Sequence, residues 1–171
     1  MQIRFATDDD LPVLLALHNH AVKYLTAAWT ETIDTLEDRK AWLDGRRRAG
    51  LPVVVATNDK GIVLGFGSFG PFRPREGYRF TAEHTIYVNP SAQRQGVGCA
   101  LLRHLILLAR EAGYHALVGG IDGENTASVA LHEKCGFQIS GQLPQVGTKF
   151  GRWLDLILVT LVLNTDDPAR N

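Results

Sequence analysis

The feature that most constrains this chain is a junction near its middle. Phe80 to Val88 reads as a strand closed by Asn89-Pro90, Gln93 to Gly98 is a loop bearing two glycines, and Gly98 to Ala112 is an amphipathic helix ended by Gly113. A strand that passes through a glycine loop into a long helix leaves free N–H groups, and the positive end of the helix dipole, at the loop. Such a junction is suited to hold phosphate. Gly96 and Gly98 permit positive φ and close approach, and Arg94 adds a charge. The loop lies mid-chain and lacks the third glycine of the dinucleotide-binding fingerprint, which argues against that architecture.

The flanking patterns extend the picture. Gln2 to Ala6 alternates as a short strand, and Asp8 to Asp10 offer caps for a helix with Leu11, Leu14, Leu15 and Leu17. Tyr24 to Ile33 breaks the period and carries Trp29, and Thr35 to Asp38 caps a second helix that presents Trp42 and Leu43. Val53 to Ala56 and Ile62 to Phe69 form a hairpin around Asn58 to Gly61, and Phe69 to Tyr78 is a loop. After the long helix come a strand at His115 to Ile121, a helix at Asn125 to Lys134 stopped by Gly136, and strands at Phe137 to Gln142 and Leu154 to Val162. The order β-α-α-β-β-β-α-β-α-β-β predicts one α+β domain over residues 1–163, with a polar tail over 164–171.

Charge narrows the classes of partner. Eighteen basic and eighteen acidic side chains cancel, so no global field draws the chain to nucleic acid or to an anionic membrane. The basic run Arg46-Arg47-Arg48 falls at a helix C-terminus, where it complements the dipole. No window approaches the ~18 apolar residues of a membrane span, and the start lacks a basic segment followed by a long apolar one, so a cytoplasmic protein is expected. Cys99 and Cys135 have no metal spacing and read as free packing thiols.

Gln93-Arg-Gln-Gly-Val-Gly98 resembles the Q/R-x-x-G-x-G/A signature of the GNAT acetyltransferases, and Asn125 to Phe137 resembles the next helix of that family. The resemblance implies the GNAT fold, a mixed and mostly antiparallel sheet flanked by helices, with acetyl-CoA as cosubstrate and no metal. It implies that Ile86, Tyr87 and Val88 pair with the pantetheine arm. Gln93, Arg94, Gln95, Gly96, Val97, Gly98 and Cys99 would cradle the pyrophosphate, and Asn125 and Ser128 would face the cofactor. Where the superfamily often has a tyrosine acid, this chain has His132.

Three stretches, Arg73 to Val88, Leu131 to Glu133 and Val146 to Asp155, resemble the phosphinothricin and methionine sulfoximine N-acetyltransferases over nearly the whole chain. By that resemblance Arg73, Pro74, Arg75, Glu83, His84 and Thr85 lie near a small amino-acid substrate. The cluster Lys149 to Trp153 would lie near the contact of a homodimer. The residue chemistry is compatible: acetyl transfer to an amine needs a neutral nitrogen and a route for its proton. Glu83 shares a strand face with Thr85 and Tyr87, and it reads either as a catalytic base or as half of a structural ion pair. His132 reads as a proton donor or relay, or as a packing imidazole. Arg73 and Arg75 suit carboxylate capture, and Trp29 reads as a pocket wall or as core.

Overall fold

The computed structural model describes residues 1–164. The chain forms β1 (Gln2–Phe5), α1 (Leu11–Tyr24), α2 (Leu36–Arg48), β2 (Val53–Thr57), β3 (Val63–Pro71), β4 (Thr81–Val88), α3 (Val97–Glu111), β5 (Ala116–Asp122), α4 (Thr126–Lys134), β6 (Gln138–Lys149) and β7 (Arg152–Val162). The element order expected from the periodicities is present. Of the expected tail, only Asn164 falls among the described residues, and its side-chain amide donates to the Tyr114 carbonyl at 3.1 Å.

The strands make one seven-stranded sheet in the order β1-β2-β3-β4-β5-β7-β6, and every neighbouring pair is antiparallel except β4 with β5. β2 explains why the sheet has helices on both faces. Its Val53 and Val55 point to α1 and α2, packing with Leu14, Leu17, Leu43 and Phe66. Val54 and Ala56 point the other way, to Leu101, Leu102 and Leu105 of α3. Each such leucine, fully buried, contributes roughly 1.5–3 kcal/mol relative to exposure. The same alternation carries into β4, where Ala82, Ile86 and Val88 join the α3 side while Tyr87 joins the α1 side.

β6 differs from the expected strand, which ended at Gln142: it runs to Lys149 and pairs with β7 as a long ribbon. Pro144 and Gly147 look like strand breakers. β6 is the edge strand, however, so a proline there removes no interior ladder bond. The register instead shifts between Leu143 and Gly147, with Gln145 at φ 56°. The ribbon turns at Phe150 and Gly151, whose φ values of 53° and 69° are those of a type I′ hairpin.

The parallel pair decides where chemistry can happen. β4 and β5 pair only over Thr81 to Glu83 against Ala116 to Val118, although β4 continues to Val88 and β5 to Asp122. Beyond Glu83 the two strands part and leave a wedge-shaped opening through the sheet.

Candidate active site

The opening sits beside the glycine loop. On the β5 side, Ile86, Tyr87 and Val88 have no strand partner, and their other edge is held by Gly67, Phe66 and Gly65 of β3. The loop follows from Asn89, whose side chain accepts from Ser91 N at 3.0 Å. Arg94 and Gly96 both adopt positive φ, 60° and 81°. No side chain caps α3, its first turn carries no acid, and its first intrahelical bond runs from Ala100 N to Gly96 O. The N–H groups of Val97, Gly98 and Cys99 are therefore free donors at the positive end of a fifteen-residue helix. The backbone free at the wedge and these donors fit an extended pantetheine chain and a pyrophosphate. The two glycines differ in function. A Cβ at Gly96 would meet open space, so positive φ is its reason, whereas a Cβ at Gly98 would press Leu131 of α4 at 3.0 Å.

Two consecutive glycines of β5 shape the opening. A Cβ at Gly119 would lie 2.8 Å from Cε1 of His84, and one at Gly120 would lie 3.5 Å from Oε1 of Glu83. His84 and Glu83 thus lean across the gap on opposite faces of the sheet. A glycine pair inside a strand was the sequence signal for this close approach.

On the α4 face, Asn125 caps its helix by accepting from Ser128 N at 3.0 Å. His132 Nδ1 lies 2.6 Å from the Ser128 carbonyl, which can only accept, so Nδ1 carries the proton. Burial holds His132 below the ordinary imidazole range, and the neutral ring presents a lone pair at Nε2. His84 Nε2, 2.9 Å away, must then donate to it. Burial, and secondarily the neighbouring His132, push His84 down to about 3, with the Val118 backbone pulling weakly the other way. His84, Thr85, Ile86, Gly119 to Ile121, Asn125, Ser128, His132 and Ala27 together line a narrow cavity of about 60 Å³.

On the other face Glu83 is open to solvent at a cavity mouth, unlike a carboxylate sealed among apolar strand residues. It makes no ion pair among the described residues. The protein crowding its carboxylate nevertheless raises its pKa by desolvation, and the positive charge of Arg73 only partly opposes this. An unpaired carboxylate of raised pKa is suited to accept a proton. Thr85 shares its face and its cavity, and Tyr87 packs deeper against Phe66 with ring centroids 5.0 Å apart.

The chain from residue 14 to 137 matches the model of the acetyltransferase (GNAT) family. The chain belongs to this family. It is 49% identical, over 99% of its length and 96% of the relative's, to an L-methionine sulfoximine/L-methionine sulfone acetyltransferase of Pseudomonas paraeruginosa. Among solved structures it resembles a ribosomal-protein-alanine N-acetyltransferase from Brucella melitensis, at TM-score 0.93 and 49% identity over 95% of this chain and 100% of that one. It also resembles a GNAT phosphinothricin acetyltransferase from Sinorhizobium meliloti in complex with acetyl-CoA, at TM-score 0.93 and 30% identity over 98% and 92% of the two chains. This acetyltransferase uses acetyl-CoA to acetylate an amine.

Other expected site residues are spread around this GNAT wedge. Arg73, in the exposed loop before β4, has its guanidinium 4.9 Å from the Phe72 ring and 5.8 Å from that of Tyr78. Pro74 and Arg75 are exposed in the same loop. Trp29 does not join the Glu83 cavity: its ring lies directly over Gly147 of β6, where any Cβ would collide with it. Ala27 of the same loop reaches the wedge instead. Cys99 and Cys135 are free, as expected, but their sulfurs touch at 3.3 Å.

Within the cluster Lys149 to Trp153, expected near a homodimer contact, Lys149 turns inward. Lys149 is only 1% exposed, and its ammonium donates to the carbonyls of Ala21 at 3.2 Å, Leu25 at 2.6 Å and Ala28 at 2.5 Å. A buried ammonium needs acceptors, and the chain leaving α1 provides the Leu25 and Ala28 carbonyls beside that of Ala21, which also accepts from Leu25 N at 3.1 Å. Phe150 and Trp153, at 47% and 70% exposed, remain on the surface. No sequence signal distinguished Lys149 from its neighbours, because the three carbonyls come from a segment more than a hundred residues earlier.

Proposed function

We propose that this enzyme transfers the acetyl group of acetyl-CoA directly to the α-amine of a small amino-acid analogue of the methionine sulfoximine, methionine sulfone or phosphinothricin type. The observation that carries the reading is Glu83: a carboxylate without an ion-pair partner among the described residues, raised in pKa, leaning across the wedge over Gly120, with the positive charge of Arg73 acting on it. The α-amine and α-carboxylate of an amino acid hang on one carbon. A base for the first and an arginine for the second must therefore act on one region, and the charge of Arg73 is felt at Glu83.

In the transfer, the amine nitrogen bonds to the acetyl carbonyl carbon and the carbon–sulfur bond breaks, while the nitrogen gives up a proton and the leaving sulfur takes one. Glu83, directly or through water, receives the amine proton, and its raised pKa brings it closer to the working pH. The free backbone of β4 beyond Glu83 orients the thioester, with the N–H of Val88 or a neighbour as oxyanion donor. The α3 amino terminus, with Gln93 to Cys99, holds the pyrophosphate. His132, neutral and with its proton held on Nδ1 by the Ser128 carbonyl, orders the opposite wall together with Asn125 and Ser128, and the leaving thiolate takes its proton from water. No covalent acyl-enzyme is required.

A homodimer in the cytoplasm is part of the same proposal. Phe150, Trp153, Val146 and Ile33 leave large apolar side chains exposed around one end of the β6–β7 ribbon, which favours a covering partner. Sedimentation at micromolar protein is expected to give a dimer, and only monomer would reject it.

A second reading has one specific support, the ribosomal-protein-alanine N-acetyltransferase resembled at 49% identity. Such an enzyme takes a peptide amine, which has no adjoining α-carboxylate for Arg73. Thiol release from acetyl-CoA with the three analogues, common amino acids, N-terminal alanine peptides and an aminoglycoside separates the two. The analogues are expected to give the highest kcat/KM, and equal or better turnover of peptides would replace the first reading by the second.

A further inference from the structure

The Glu83 cavity has a far wall that the proposed chemistry has not yet used. Its volume is about 410 Å³, within the roughly 300–1,000 Å³ of small-molecule sites, and it lies between α2 and the β3–β4 pair. Glu83 and Thr85 line one side, Gly70 and Pro71 the floor, and Trp42 and Arg46 of α2 the other side.

Arg46 is not only the helix-terminal cation that its place in Arg46-Arg47-Arg48 implies. Its guanidinium turns back onto the sheet, where Nη1 donates to the Phe69 carbonyl at 2.8 Å. It occupies the space a side chain of residue 70 would fill, since a Cβ at Gly70 would collide with Nη1. Gly70 is the cross-strand partner of Glu83, and paired residues of an antiparallel ladder project to the same face. The guanidinium therefore stands on Glu83's face of the sheet. The Trp42 ring flanks it at 5.6 Å.

Arg46 is half-buried, and the bond to Phe69 is its single hydrogen bond among the described residues. No carboxylate among them pairs with it, and burial lowers its pKa, as expected of a guanidinium dehydrated without a counter-ion. Neighbouring Arg47, by contrast, pairs with Asp8 and Asp44. A guanidinium left with free donors over a cavity floor is an oxyanion receptor.

We propose that Arg46, backed by Trp42 and seated over Gly70, is the subsite for the oxygen-bearing end of the substrate side chain, the sulfone, sulfoximine or phosphinate oxygens. This rests on the amino-acid-analogue reading. The division of labour between arginines follows from covalent structure. The α-carboxylate must lie beside the amine and hence beside Glu83, and Arg73 is the arginine whose charge reaches Glu83. Glu83 leans toward Gly120 on the β5 side, whereas Arg46 sits over Gly70 on the β3 side, so Arg46 serves the end of the molecule that reaches across from the amine.

The test compares methionine sulfone with methionine, which differs only in lacking the two oxygens. kcat/KM is measured by thiol release at saturating acetyl-CoA, or as a competitive inhibition constant for a compound that is not turned over. Two variants are used: Arg46→Gln, which removes the charge and keeps an amide able to reach the Phe69 carbonyl, and Gly70→Ala, which keeps Arg46 and pushes it from its seat. A charged hydrogen bond contributes about 1.5–3 kcal/mol, so each variant is expected to lose about 10- to 100-fold on the sulfone through KM. The value for methionine and the KM for acetyl-CoA are expected to stay within about threefold. If the wild type turns over none of the analogues, the substrate class falls and the subsite with it. If the wild type uses the sulfone and both variants leave the sulfone-to-methionine ratio unchanged, whether activity falls equally or not at all, the substrate class stands and the subsite is overturned.

Discussion

His84 Nε2 lies 2.9 Å from His132 Nε2, and both rings are buried. Two protonated imidazoles cannot share that contact, and the Ser128 carbonyl at Nδ1 of His132 fixes which nitrogens carry the protons. The pair is thus a fixed chain of neutral donors and acceptors across the wedge, joining β4 to α4.

The pair makes the fold acid-sensitive. His84 titrates near 6.5 when unfolded and about 3 when folded, and His132 is lowered as well. Above pH 6.5 both states are neutral and the full stability is present. As pH falls below 6.5 the unfolded chain binds protons that the native one refuses, so stability drops by up to about 1.4 kcal/mol per pH unit for each histidine. Urea midpoints are expected to fall between pH 6.5 and 4.5. His84→Gln retains a donor to His132 and removes one titration, so its midpoints should fall less steeply. An identical slope would show that other groups govern the acid limb.

Glu83→Gln is expected to lower kcat/KM by about 10²-fold or more, the usual range for a lost general base, without lowering the urea midpoint at pH 8. Because desolvation by the surrounding protein raises the Glu83 pKa, the wild-type rate should fall as pH drops through a value above that of an ordinary glutamate, when the base becomes protonated. The glutamine variant should lack that limb. Wild-type rates with an unchanged profile would leave Glu83 without a chemical role.

Gly96 sits at φ 81° with open space where a Cβ would be. Gly96→Val is expected to strain the α3 amino terminus, redirecting its free N–H groups and weakening acetyl-CoA binding about tenfold or more. Calorimetric titration of the folded variant reads this, and unaltered affinity would remove the loop from the binding site.

Lys149→Met fills the same space and removes the ammonium from the carbonyls of Ala21, Leu25 and Ala28, of which Ala21 keeps a second donor in Leu25 N. Uncompensated buried acceptors cost about 1–3 kcal/mol each at most, and relief of the buried charge offsets part of this. A net loss of about 2 kcal/mol in urea unfolding is expected. Thr26 and Trp29 belong to the segment so held, so the intrinsic fluorescence of the native variant should shift as Trp29 leaves Gly147. A variant as stable as the wild type with the same spectrum would mean the clamp does not hold that segment.

The sequence by itself determined what local periodicity and short motifs can carry. The α+β order, the glycine loop opening a helix and the family were all legible, because period, cap and turn chemistry act over a few residues. Even Glu83's strand face followed from alternation alone. Only tertiary structure decided how far apart the strands stand. The parting of β4 from β5 after Glu83 depends on pairing between residues thirty-five apart, and it turns two unremarked glycines into seats for His84 and Glu83. The same holds for the charged residues that composition treats alike. Arg46 and Arg47 adjoin in sequence, yet one meets carboxylates and the other a cavity, and Lys149 finds its acceptors at the end of a distant helix. A charged side chain's role is set by the partners that folding brings within a few ångströms, and those partners have no fixed spacing in sequence.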